Sequence, residues 1–163
     1  MPGTEPNVAA EGTDRTPHIS YVVARLERAV RKEIGRLVGP RGLSVAQYTT
    51  LSILRTRSGL SNAQLARRLW VTPQSMNEVI SALERMGLIH RVPDAGNRRI
   101  LRTALTPVGR ETLAACDAEI LEMEGQMLGD IDPVAHDQLV DALEGCIRRI
   151  NAGSGDRRPN GVA

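Results

Sequence analysis

Apolar positions fall at helical spacing over most of this chain, and the period changes only once. Ile19, Val22, Val23, Leu26, Val30, Ile34 and Leu37 recur at intervals of three, four and seven, which predicts an amphipathic helix over 18–38. Gly39-Pro40-Arg41-Gly42 ends it. Ser44 with Gln47 and Ser61 with Gln64 each fit a capping box, in which a Ser hydroxyl and a Gln side chain satisfy first-turn amides. Leu43 with Tyr48, and Leu60 with Leu65, occupy the matching staple positions. Helices over 45–57 and 62–70 follow. Thr72-Pro73 opens the next, since Thr caps well and Pro loses nothing at the first helical position. That helix is predicted over 73–86, with Gly87 as its left-handed stop. Its apolar face is Met76, Val79, Ile80, Leu83 and Met86, and its polar face is Gln74, Ser75, Asn77, Glu78 and Ser81.

The period then becomes extended. Residues 88–92 and 98–105 read as two strands around the turn-forming Pro93-Asp94-Ala95-Gly96-Asn97, a hairpin with a basic tip. Thr106-Pro107 starts a long helix to about Leu128, striped by Leu113, Cys116, Ile120, Met123 or Glu124, and Met127. Asp132-Pro133 starts the last, over 133–151, striped by Leu139, Val140, Leu143, Ile147 and Ile150. The segments 1–16 and 152–163, rich in Gly, Pro and polar residues, lack any period and read as disordered tails.

Composition sharpens this picture at two points. The 163 residues include no Phe, one Trp and two Tyr, so the core must be aliphatic, which suits helix-on-helix packing. Charge is unevenly spread: the net is −2 over 1–16, +10 over 17–106 and −6 over 107–163. A basic body beside an acidic C-terminal part is the footprint of a polyanion-binding surface.

The order of elements is helix, helix, short helix, helix, hairpin, long helix, helix. The short helix, the Val71-Thr72 connection and the helix over 73–86 form a helix-turn-helix, and the hairpin is its wing. A helix that buries one face and offers small polar groups on the other can enter a major groove, with its N-terminal residues at base edges. Arg98, Arg99 and Arg102 on the hairpin are placed to reach phosphates or the adjacent minor groove. The fold class is therefore mainly α, a winged helix-turn-helix with a two-stranded wing and long terminal helices.

Five stretches in this order resemble the MarR family of bacterial regulators. They are Leu60-Ser61-Asn62-Ala63-Gln64-Leu65-Ala66, Val71-Thr72-Pro73-Gln74-Ser75-Met76, Leu83-Glu84-Arg85-Met86-Gly87-Leu88-Ile89-His90-Arg91, Pro93-Asp94-Ala95-Gly96-Asn97-Arg98-Arg99 and Leu105-Thr106-Pro107-Val108-Gly109-Arg110. The resemblance covers roughly residues 18–150. It implies a winged-helix domain over 17–151, with a DNA-binding lobe over 44–106 and dimerisation helices over 17–40 and 107–151. It further implies a homodimer that binds a pseudo-palindromic operator in double-stranded DNA, usually as a repressor. By position, Thr72 holds a phosphate, Gln74, Ser75 and Asn77 read bases beside Pro73, and Arg98 enters the minor groove with Arg99 next to it. Asp94 positions the wing arginine by an ion pair across the hairpin. From its place on the preceding helix, Arg67 reads as a phosphate contact or a solvated residue rather than a base reader.

Two residues depart from the family pattern. Glu78 stands where many relatives are basic, and it either accepts from a cytosine amino group or points away from DNA. Asn97 stands where many carry an acid, which leaves Asp94 as the only acid in the wing turn.

The resemblance also implies a site for a small aromatic or anionic ligand, to which Tyr21, Arg25, Tyr48 and Trp70 are candidate contributors, although Tyr48 and Trp70 also read as core positions. Some members of the family sense oxidants through cysteine. Here Cys116 lies on an apolar stripe and Cys146 beside one, and both read as small buried hydrophobes rather than sensors.

The three histidines are scattered without ligand spacing, and no phosphate loop, nucleophile elbow or paired carboxylates appear. An enzyme, a metal site and a cofactor are not expected. No apolar h-region and no run of about 18 apolar residues appear, so a cytoplasmic protein without a membrane span is expected. A winged-helix module that binds protein instead of DNA, and a cysteine-based redox regulator, are the alternative readings.

Overall fold

The computed structural model describes residues 17–155, with side chains described to Ala152. The segments 1–16 and 156–163, expected as tails, lie outside the described residues, whereas 152–155 continue the last helix rather than leaving it. The elements are α1 (Ile19–Val38), a 3-10 turn (Gly39–Arg41), α2 (Val45–Thr56), α3 (Asn62–Leu69), α4 (Pro73–Arg85), β1 (Ile89–Pro93), β2 (Leu101–Leu105), α5 (Pro107–Leu128) and α6 (Pro133–Gly155). Two compact units divide after Ile120, and α5 belongs to both.

In the first unit, both capping boxes form as the spacing predicts. Gln47 and Gln64 each donate their backbone N–H to the preceding Ser hydroxyl and accept from its amide at 2.7 and 2.9 Å. These boxes matter because α3 has eight residues and would not persist alone. Packing supplies the rest. Leu51 and Leu54 of α2, Leu65 of α3, and Met76, Ile80 and Leu83 of α4 are buried, together with Leu88, Ile89 and Leu105 at the base of the hairpin. Each fully buried aliphatic side chain contributes roughly 1.5–3 kcal/mol. As the composition requires, the core is aliphatic: Tyr48 is half-buried, and Tyr21 and Trp70 are exposed.

Hairpin and α5 meet at one close approach. Gly87, at φ +71°, turns the chain out of α4. The Thr106 hydroxyl donates to Gly87 O at 2.7 Å and accepts from Gly109 N at 2.9 Å, so one side chain caps α5 and ties it to the preceding turn. Gly109 is buried, and a Cβ there would lie 1.9 Å from Leu88 O. Cys116 lies on the same buried face of α5, with no exposed surface, and burial pushes its thiol pKa up.

One expectation about burial, that for Cys146, is overturned, and the apolar stripes of the terminal helices are covered unevenly. The apolar stripe of α1 is half-buried at Val30, Ile34 and Leu37 but exposed at Ile19, Val22, Val23 and Leu26. In the second unit, Leu139, Val140, Leu143, Ile147 and Ile150 of α6 are all exposed, and so is Cys146, which is not the small buried hydrophobe expected. Helical spacing shows that a face is apolar; it does not show what covers it.

Gly109→Ala pits about 1 kcal/mol of helix propensity against a backbone clash that no side-chain rotation relieves. Overpacking prevails, and a net loss of about 2 kcal/mol is expected, read as a Tm lower by several degrees; an unchanged or raised Tm refutes the close approach. Cys116 is expected to react with iodoacetamide no faster than the protein unfolds, as followed by peptide mass mapping. Rapid labelling of Cys116 in the native state would reinstate the redox reading.

Candidate nucleic-acid interface

Recognition begins with the joint between α3 and α4. Thr72 caps α4, its hydroxyl accepting from Ser75 N at 3.1 Å and lying 2.9 Å from the Ser75 hydroxyl. One of these two hydroxyl hydrogens joins the pair, which leaves the other free to donate outward. The Asn62 side chain donates to Pro73 O at 3.0 Å and so locks the start of α3 to the start of α4. With Met76, Ile80 and Leu83 turned into the core, Gln74, Ser75, Asn77 and Glu78 are exposed. Glu78 stands one turn beyond Gln74 on that exposed face.

Between the helices, α3 ends one residue earlier than the spacing predicts. Trp70 is its C-cap in the left-handed conformation, φ +56°, and the residue is 70% exposed. The reading of Trp70 as a core position is therefore wrong: a left-handed cap points its side chain off the helix.

The wing pairs Ile89 with Leu105 through to Pro93 with Leu101 in an antiparallel register. The second strand thus starts at Leu101, not at 98, and Arg98 and Arg99 sit in the turn, exposed. The tip is organised by Asp94. Its Oδ1 accepts from the backbone N–H of Gly96 and of Asn97, both at 3.0 Å, and its Oδ2 accepts from Arg102 Nε at 2.6 Å. The arginine first, and then these amides, hold the Asp94 carboxyl below its ordinary pKa.

An ion pair across the hairpin does form, but with Arg102 rather than Arg98. The cause is register: Arg102 is directly opposite Val92, two residues from Asp94, whereas Arg98 lies within the loop. Arg102 also donates through Nη1 to Gly59 O and to Gln64 Oε1, each at 3.3 Å. It is therefore engaged with the protein and does not stand free as a third wing arginine.

Two further ties join the wing to the helices. Leu60 forms a bridge with Thr103, through Gly59 N to Thr103 O and Thr103 N to Leu60 O, both at 3.0 Å. Arg91 of β1 pairs with Glu84 of α4, which holds the Glu84 carboxyl below its usual range. The sequence pointed Arg102 toward DNA rather than toward Asp94, and it gave no sign of the Leu60 bridge. The signal available was Asp94 as the sole acid of the turn, with Arg102 the next basic residue after the tip pair.

Two grooves flank this joint. One, of about 390 Å³, lies among Asn62, Asn77, Arg91, Arg99 and Thr103, and three buried polar atoms on its lining residues lack a hydrogen-bond partner: Asn62 Oδ1, Arg91 Nε and Thr103 Oγ1. The other, of about 550 Å³, lies among Gln64, Arg67, Pro73, Ile100 and Arg102. Arg67, Arg68, Arg98 and Arg99 are exposed, and none has a carboxylate within ion-pair distance among the described residues. Polar helix face, unpaired arginines and grooved wing together form a surface suited to a polyanion.

The four ligand candidates do not gather. Arg25 stands over the Tyr21 ring on α1, 5.7 Å from its centroid, and both are exposed. The Tyr48 hydroxyl donates to Asp117 at 3.0 Å, and Arg55 pairs with the same carboxylate. Trp70 is on the helix-turn-helix connection, and neither groove is lined by any of the four.

Known proteins share both the sequence and this architecture. The family model described as MarR family matches residues 43–101. The HTH-type transcriptional repressor Rv2887 of Mycobacterium tuberculosis is 32% identical over 110 residues, which cover 68% of this chain and 79% of that protein. A structure of the same protein in complex with p-aminosalicylic acid superposes with a TM-score of 0.65 at 28% identity, over 80% of this chain and 98% of that one. The transcriptional regulator BldR of Sulfolobus solfataricus aligns with a TM-score of 0.72 at 27% identity, over 80% and 92% of the two chains. Family model, repressor relative and winged-helix architecture agree: the chain belongs to the MarR family and is a DNA-binding transcriptional regulator.

Proposed function

We propose that the protein binds a pseudo-palindromic operator as a homodimer and represses by occluding it. The observation that carries this reading is the exposed face of α4, where Gln74, Ser75 and Asn77 follow the Thr72-Pro73 cap beside the unpaired arginines of the wing. In this reading Gln74, Ser75 and Asn77 contact base edges in the major groove. Thr72 and Arg67 hold phosphates, and Arg98 and Arg99 reach the adjacent minor groove or its backbone. Two such helices, related by a two-fold axis, enter grooves about 34 Å apart.

A second copy accounts for the exposed apolar stripes of α1 and α6, which water would otherwise cover at a cost of about 25 cal/mol for each Å². Release by a small aromatic acid is proposed from the p-aminosalicylic acid complex of the mycobacterial relative. Such release requires two dimer states with different affinities for the ligand.

Selection from random duplex DNA is expected to enrich an inverted repeat with half-sites one helical turn apart. Affinity should fall steeply with salt, log K declining against log salt by about 0.9 per phosphate contact. Arg98→Ala with Arg99→Ala should weaken binding and flatten that slope by about one for each phosphate contact removed. A double variant that binds like wild type would remove both arginines from the contacts, and a selection that enriches no duplex would favour a protein-binding module.

Arg102 separates wing bracing from DNA contact. Arg102→Met should weaken operator binding yet leave the salt slope unchanged, because this guanidinium is already held by Asp94, Gln64 and Gly59. The Asp94 pKa is depressed in the fold, so the brace is present above the ordinary carboxylate range and is lost only as pH falls through the lowered value. Wild-type binding should therefore survive mild acid. A flattened slope in Arg102→Met would make it a phosphate contact instead.

A further inference from the structure

We infer that the indole of Trp70 is a DNA-backbone contact of this regulator, fixed beside the recognition helix to pack on a deoxyribose and donate its N–H to a phosphate. The backbone is the first reason. Trp70 is the only non-glycine residue with positive φ among the described residues, while Gly42, Gly59, Gly87 and Gly129 serve the other left-handed positions. The Cβ of an L-residue is crowded in that region, whereas glycine is not. A strained residue persists where the surrounding structure over-determines it, and such residues cluster at functional sites.

The core does not need this side chain. The residue is 70% exposed, and its ring makes no hydrogen bond or ring contact among the described residues. Yet its base is rigid: the N–H of Trp70 and that of Val71 both go to Ala66 O. The structure thus presents a large aromatic group from a hydrogen-bonded backbone position, two residues before the Thr72 cap.

The charge around it selects the partner. Arg67 and Arg68, in the last turn of α3, are exposed and unpaired among the described residues. Of the six arginines between residues 34 and 77, Arg36, Arg41 and Arg55 pair with Glu33, Glu119 and Asp117, whereas Arg67 and Arg68 beside Trp70 have no carboxylate among the described residues. Adjacent unpaired cations fit a polyanion better than a protein surface, which offers both signs. An indole adds what the arginines lack, an apolar face for a sugar together with one N–H donor. The inference rests on α4 facing DNA, and its test keeps the two claims apart.

Trp70 is the only tryptophan in the chain, so the native emission reports this ring alone. Anisotropy of a labelled operator duplex, taken from the selection above, establishes saturation independently of the ring. At saturation the emission should shift and quench, and acrylamide should lose access to the indole. W70G should bind the same duplex roughly tenfold more weakly. Its salt slope should not change, since no charge is removed, and its Tm should equal or exceed that of wild type, since the left-handed strain is relieved. Saturating duplex with unaltered emission and acrylamide access, or a W70G protein that binds as tightly as wild type, overturns the contact while leaving DNA binding intact. A wild-type protein that binds no duplex even at low salt overturns both.

Discussion

A helix offered to DNA can be held by only one of its faces, and the structure follows from that constraint. The recognition helix α4 keeps Gln74, Ser75, Asn77 and Glu78 in solvent, so its position depends on three buried side chains, Met76, Ile80 and Leu83. Those three pack in a core of aliphatic residues drawn from α2, α3 and the base of the hairpin. With no Phe in the chain, shape comes from Leu and Ile, whose few rotamers allow close interdigitation. The Asn62 bond to Pro73 O supplies what apolar packing cannot, a directional tie at the N-terminal end of α4.

The wing solves a different problem. A two-stranded ribbon has too little apolar surface to hold itself, and beyond Ile89 and Leu105 this one turns mostly to solvent. Polar ties take over from burial along its length. Leu60 adds a bridge at Thr103, Glu84 holds Arg91, and Arg102 joins the tip at Asp94 to Gln64 and Gly59. Gln64 is thus shared: its side-chain oxygen completes the α3 capping box and also accepts from the wing. The orientation of Arg98 and Arg99 is consequently linked to the start of α3 by hydrogen bonds rather than by packing, and such ties are directional and sensitive to single-atom changes.

The surfaces left over divide by chemistry. Around α3 and the wing they are cationic and unpaired, whereas on α1 and α6 they are apolar stripes. In the proposed homodimer, a polyanion and a second copy of the chain satisfy these two kinds of surface separately, so that DNA binding and symmetric assembly use different faces. Cys116 belongs to neither: it fills space inside α5, and its raised pKa disfavours the thiolate that sensing would need.

Local chemistry was legible from the residues alone. Ser44, Ser61, Thr72 and Thr106 marked helix starts, Gly87 marked a stop, and the change of period marked the wing, because caps, turns and periodicity involve residues within a few positions of one another. The Gln74, Ser75 and Asn77 face was legible for the same reason, as the complement of an apolar stripe. What the sequence could not determine depended on partners far apart in the chain. Arg102 and Arg98 are both arginines near one acid, and only the hairpin register decides which one Asp94 takes. Leu60 meets Thr103 across 43 positions, and Gly109 is required only because Leu88 O arrives beside it. Periodicity likewise gave the apolar stripe of α6 no means of showing that its own chain leaves it uncovered, and Trp70 looked like core until its left-handed φ turned the ring outward. Sequence by itself determines which face of each element is apolar and where each element begins and ends. Tertiary structure decides which of several equivalent side chains meets a given partner, because that depends on three-dimensional distance and not on separation along the chain.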